Sequence, residues 1–170
     1  VFVTLATGRM YASAIRYARE LELDLPLITY NGAVVKTSSE GLVIYERLLP
    51  RHYAREIIAL VQEKSYPIDL YFNHGGDRLY VDRISAAARR YAFQSSVPFY
   101  EVPDLRSLLD RDPIKLVVLG EEELLDVLAE ESRARWGREL YITKSEPTYL
   151  EYLHPEATKG RALAAVAQHL

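Results

Sequence analysis

Val1-Phe2-Val3-Thr4-Leu5-Ala6-Thr7-Gly8-Arg9 opens the chain with the pattern of a strand running into a turn. The nearly continuous apolar run from Val1 to Ala6 matches a strand buried on both faces, as in a parallel sheet. Directly after it, Met10, Ala14, Tyr17 and Leu21 recur at helical spacing, with Arg16, Arg19 and Glu20 opposite them. That predicts a helix over 10–22. Pro26 ends the linker, Leu27-Ile28-Thr29-Tyr30 reads as a second short strand, and Asn31-Gly32 closes it. Residues 1–30 therefore form one β-α-β unit with a right-handed crossover.

A strand that ends in Thr7-Gly8 and turns into a helix exposes backbone N–H groups and a hydroxyl at the sheet edge where open α/β folds bind ligands. An anion suits that place. The helix dipole contributes only about 0.3–1 kcal/mol to holding one, so a cation is needed, and Arg9 is a candidate. The spacing alone fits equally well an ordinary cap at Thr7 and a turn residue at Gly8.

Beyond Asn31-Gly32 the grammar turns antiparallel. Residues 33–36 and 42–46 flank Ser38-Ser39-Glu40-Gly41, a hairpin signal that places the start of a new sheet at Ala33. A helix follows from Pro50 to Lys64, with Tyr53, Ile57, Leu60 and Val61 as its apolar face. Residues 68–73 and 78–82 make a hairpin around His74-Gly75-Gly76-Asp77, and 85–93 is helical. A short strand over 97–102 and a short helix over 104–109 come next. Ile114 to Leu119 is a clear strand, followed by a helix from Glu121 to Arg135 with acids in its first turn and bases in its last. Residues 140–143 and 149–153 form the last hairpin, in strands where tyrosine is simply a good β residue. Thr158 can then cap a helix whose Leu163, Val166, Ala167 and Leu170 follow the i, i+3, i+4, i+7 pattern.

The organisation is a β-α-β piece at 1–32 and a lone helix at 156–170, around an α+β insert at 33–155. A helix and a two-stranded parallel pair leave apolar faces uncovered, so the two end pieces are expected to share one sheet domain whose other elements are missing from these residues.

The 170 residues are 49% apolar and 26% charged with no low-complexity tract, the profile of a globular protein. A formal net charge of −3 with mixed signs leaves no basic face for nucleic acid or a membrane surface, so the expected partner is a small molecule. The 170 residues contain no cysteine and no 18-residue apolar run, and no signal peptide is expected. This is the profile of a cytoplasmic protein. His52, His74, His154 and His169 are scattered without ligand spacing, so no metal site is read from them.

Thr158-Lys159-Gly160 places a lysine where its charge opposes the helix dipole. Such local conflict is expected at a functional site, although an exposed lysine is commonly just solvated. Taken with Thr7, the signal strengthens. Ala6-Thr7-Gly8-Arg9, then Leu27-Ile28-Thr29-Tyr30-Asn31-Gly32-Ala33, then Lys159-Gly160 after a long α+β insert, resembles the Cof-type branch of the haloacid dehalogenase (HAD) superfamily in order and separation.

The resemblance implies a fragment of a Rossmann-like core carrying an inserted type IIB cap, and a Mg²⁺-dependent hydrolase of small phosphorylated metabolites such as sugar phosphates. In that family an aspartate of a DxDGT motif attacks the phosphate ester, and a second aspartate serves as acid and base. By resemblance Thr7 hydrogen-bonds the transferring phosphoryl group and Lys159 neutralises charge on nucleophile and phosphate. Gly8, Arg9, Asn31 and Gly32 would lie beside phosphate or substrate. Neither DxDGT nor a GDxxND-like motif occurs in the 170 residues. The nucleophile and Mg²⁺ carboxylates are therefore expected outside them, and the chain alone is expected to be inactive. Two rival expectations are a non-catalytic cap-like module that binds a ligand or partner, and a sister phosphatase of the sucrose-phosphate or mannosyl-phosphoglycerate type.

Overall fold

The computed structural model describes residues 1–72, 78–95 and 97–170, except the side chains of residues 87, 91, 94 and 95. The expected turn at His74-Gly75-Gly76-Asp77 lies outside the described residues. Chain contacts divide the molecule into two compact units, Val1–Arg47 with Glu156–Leu170, and Leu48–Pro155.

In the first unit, helix α1 (Tyr11–Glu20) leads to strand β1 (Leu27–Thr29), a 3₁₀ turn at Tyr30–Gly32, strands β2 (Val34–Lys36) and β3 (Val43–Glu46), and, from the far end of the chain, one further helix (Lys159–His169). The three strands form an antiparallel sheet in the order β1-β2-β3, with Ile28 opposite Val35 and Val35 opposite Tyr45. The expected new sheet at Ala33 is therefore corrected. Ala33 to Glu46 continues the sheet of β1, because the Tyr30–Gly32 turn reverses the chain tightly enough for Val34 to pair with Thr29.

The opening segment is a second correction. Ala6 makes one parallel bridge to Ile28, flanked by Ile28 N–H donating to Leu5 O at 2.9 Å and Thr7 N–H donating to Ile28 O at 2.9 Å. Val1, Phe2 and Val3 are exposed. A strand buried on both faces needs neighbours beyond β1, and the described residues supply β1 alone. In α1 the buried face is Ser13, Ala14 and Ala18, with Met10 buried at the N-cap, whereas Leu21 falls past the last helical turn and is exposed.

The second unit runs α2 (Arg51–Glu63), β4 (Ile68–Phe72), β5 (Arg78–Val81), α3 (Ala86–Ser95), β6 (Phe99–Glu101), a 3₁₀ turn (Leu105–Leu108), β7 (Lys115–Leu119), α4 (Glu122–Trp136), β8 (Tyr141–Glu146) and β9 (Tyr149–Leu153). Its sheet has the order β6-β5-β4-β7-β9-β8 and is antiparallel except for β5–β6, which α3 connects. Strand alternation sends Ile68, Leu70 and Phe72, with Leu116, Val118, Leu150 and Tyr152, into one core with Ile57, Ile58 and Val61 of α2 and Leu125, Leu128 and Trp136 of α4. Inside that core the hydroxyls of Ser132 and Tyr152 share a hydrogen bond of 2.8 Å.

The closing helix, now α5 (Lys159–His169), packs Ala162 and Val166 onto Ile28 and Val35, with Ile44 and Tyr45 beside them. Of its expected face, Leu163, Ala167 and Leu170 are exposed. Alanine and leucine give this helix two overlapping apolar stripes, and the narrower one, small enough for close approach, meets the sheet. Among the described residues no helix is long and apolar enough to cross a membrane.

Candidate active site

The six residues singled out in the sequence all lie in the first unit, joined by one chain of contacts through the Tyr30–Gly32 turn. Thr7 is half-buried at the end of the opening segment, and its Oγ1 accepts the Arg9 N–H at 3.2 Å. The hydroxyl thus closes the turn as an Asx-like cap would, leaving its own proton available. Asn31 N–H donates to Thr7 O at 3.1 Å and Tyr30 N–H donates to Arg9 O at 3.0 Å. Gly8 sits against the Asn31 side chain: a Cβ there would lie 2.6 Å from Asn31 Oδ1.

Arg9 is exposed. Its Nη1 donates to Ser13 Oγ at 3.4 Å and its guanidinium lies 5.6 Å from the Tyr17 ring centroid, so the cation is drawn along the first turns of α1.

On the other side of the turn, Gly32 meets the start of α5. Thr158 caps that helix, its Oγ1 accepting Arg161 N–H at 3.3 Å, and its carbonyl accepts Ala162 N–H at 3.0 Å. Lys159 follows as the first helical residue and is exposed.

Two features escaped the sequence reading. Tyr30, fully buried, shares the left-handed backbone of Asn31, with φ values of 51° and 60°. In the second unit, Asp69, Lys115 and Glu151 are buried on the sheet face opposite the α2–α4 core; the signal available was a lone charge within each of the apolar runs Ile68–Phe72 and Ile114–Leu119. Burial, then the negative charge of Asp82, pushes the Asp69 carboxyl up to about 8 against the pull of Lys115.

The arrangement combines the Thr7 hydroxyl with the cations of Arg9 and Lys159, and its six residues include no carboxylate. It does not fit a Mg²⁺ ion, which takes oxygen ligands from carboxylates. Among the described residues no group of three or more His, Asp or Glu side chains could hold a metal.

The family model for haloacid dehalogenase-like hydrolases matches residues 1–170, and the chain belongs to that family. It is similar to the HMP-PP phosphatase of Cronobacter sakazakii, with 27% identity over 170 residues, covering 100% of this chain and 61% of that protein. A Thermotoga maritima crystal structure superposes with a TM-score of 0.85 at 30% identity, over 99% of this chain and 62% of that one. The HAD subclass IIB sugar phosphatase BT4131 has the same fold, with a TM-score of 0.77 at 18% identity over 99% and 62% of the two chains. The chain thus spans about three fifths of the length of these proteins.

Proposed function

We propose that these residues belong to a Mg²⁺-dependent phosphomonoester hydrolase of small phosphorylated metabolites such as sugar phosphates, acting through an aspartyl-phosphate. The first unit is part of the Rossmann-like core and the second is the type IIB cap. The observation that supports this reading is the single contact chain from Thr7 through the Tyr30–Gly32 turn to Lys159. Thr7 Oγ1 hydrogen-bonds the transferring phosphoryl group, and Lys159 neutralises its charge together with that of the nucleophile. Gly8, Arg9, Asn31 and Gly32 border the phosphate and substrate. The aspartate nucleophile, the acid/base and the carboxylates that hold Mg²⁺ belong to motifs that the 170 residues do not contain. The expected location is the cytoplasm.

The test is hydrolysis of p-nitrophenyl phosphate with Mg²⁺ by two proteins, the 170-residue chain and a version extended by its flanking reading frame. The extended protein should turn over, and Lys159→Ala or Thr7→Ala should lower its kcat by about 10²-fold or more. The 170-residue chain should show no turnover. Turnover by it that Lys159→Ala abolishes would overturn the assignment of the nucleophile to residues outside it.

A further inference from the structure

The turn that links Thr7 to Lys159 is built in a costly way. Tyr30, Asn31 and Gly32 take φ values of 51°, 60° and 102°, three left-handed residues in succession, two of them not glycine. Each such non-glycine residue is strained and persists only where its surroundings demand it. Here both sides make the demand. Toward the phosphate turn, Tyr30 and Asn31 donate their N–H groups to Arg9 O and Thr7 O at 3.0 and 3.1 Å, and Asn31 Oδ1 occupies the space a Gly8 side chain would need. Toward the helix, a Cβ on Gly32 would lie 2.3 Å from Thr158 C, 2.4 Å from Thr158 O and 2.6 Å from Lys159 N.

We propose that Tyr30-Asn31-Gly32 is a positioning bracket that sets Lys159 against the Thr7–Arg9 turn, with Gly32 and Gly8 acting as positioning residues through their bare α-carbons. This rests on the phosphate reading above. The two glycines differ in what they constrain. Gly32 abuts a backbone peptide, the one that begins α5, so a side chain there has to move Lys159 itself. Gly8 abuts the end of a side chain, so a methyl group there displaces Asn31 and loosens the turn while α5 stays in place. Gly41 is the internal control: its φ is 70°, but the nearest atom to a Cβ is Tyr11 Oη at 3.5 Å, an ordinary contact. An alanine at Gly41 therefore carries the left-handed strain without the collision.

The test uses the protein extended by its flanking reading frame, ¹⁵N-labelled and with Mg²⁺ present, as wild type and as Gly32→Ala, Gly8→Ala and Gly41→Ala. Gly32→Ala should move the amide resonances of Thr158, Lys159 and Gly160 and weaken binding of inorganic phosphate about tenfold or more, as small displacements of positioned groups do. Gly8→Ala should move the Thr7, Arg9 and Asn31 signals and weaken phosphate binding, with the Lys159 signal unmoved. Gly41→Ala should lower Tm while leaving both readouts at their wild-type values. The bracket is overturned if folded Gly32→Ala leaves the Lys159 amide in place, if folded Gly8→Ala binds phosphate as wild type does, or if Gly41→Ala weakens phosphate as much as the others. Should wild type not bind phosphate, the phosphate reading fails, and the amide shifts alone decide whether the bracket stands.

Discussion

Lys115 Nζ donates to Glu151 Oε2 at 2.7 Å across neighbouring strands β7 and β9, with the two residues 1% and 3% exposed. Desolvating both charges is expensive, and the attraction offsets it only while both are present. Lys115 also lies 4.9 Å from the Tyr71 ring centroid, a cation–π contact that holds the ammonium in place. Lys115→Met alone should destabilise the protein by about 3–5 kcal/mol, because it leaves Glu151 buried without its countercharge. Lys115→Met with Glu151→Leu should cost clearly less than the sum of the single changes. Urea unfolding of the four proteins measures both, and strict additivity would show the pair is not coupled.

Asp69 stands on β4 opposite Val117, itself opposite Glu151, and its carboxyl oxygens have no hydrogen-bond partner among the described residues. With its pKa raised from 3.8 to about 8, the folded protein keeps this proton over a range where the unfolded chain has lost it. The folded state binds the extra proton, so stability contributed here falls as pH rises from about 4 to about 8 and levels off above. Asp69→Asn removes the titration. The variant should gain on wild type progressively across that window, by more than about 1.4 kcal/mol at pH 8, the equivalent of one pKa unit. Denaturant midpoints at pH 5 and pH 8 test it; a gap that stays constant between them would count against a neutral Asp69.

Ser132 and Tyr152 satisfy each other's hydroxyls inside the core. Tyr152→Phe leaves a buried Ser132 hydroxyl unpaired and should cost about 1–3 kcal/mol, whereas the double change with Ser132→Ala should recover part of that loss. Equal costs for the single and double variants would mean that Ser132 finds another partner.

Thr158 caps α5 through Arg161 N–H. Thr158→Ala should destabilise the first unit by about 1 kcal/mol and Thr158→Ser by much less. Amide hydrogen exchange at Arg161 and Ala162 reports the fraying directly.

Strand β7 and helices α2 and α4 were legible because their signals are local: a short apolar run at Ile114–Leu119, the helical face of Tyr53, Ile57, Leu60 and Val61, and acids and bases at opposite ends of α4. The faces were less legible. In α5 both Ala162-Val166 and Leu163-Ala167-Leu170 satisfy helical periodicity, and only the partner surface of Ile28 and Val35 selects between them. The same limit hid Asp69, Lys115 and Glu151, since a charge in an apolar strand reads as an interruption until the register of three strands brings the charges to one face.

By itself, the sequence determined the order of Thr7, Asn31-Gly32 and Lys159, the helix start that displays Lys159, and hence the family, because motif order and capping are properties of the chain read along its length. Tertiary structure alone decided that Ala33 to Glu46 continues the sheet of β1, that the opening segment makes a single bridge, and that Gly32 lies against the Thr158–Lys159 peptide. These depend on how closely two backbones approach, which is set by a left-handed turn and by the absence of one methyl group rather than by any local propensity.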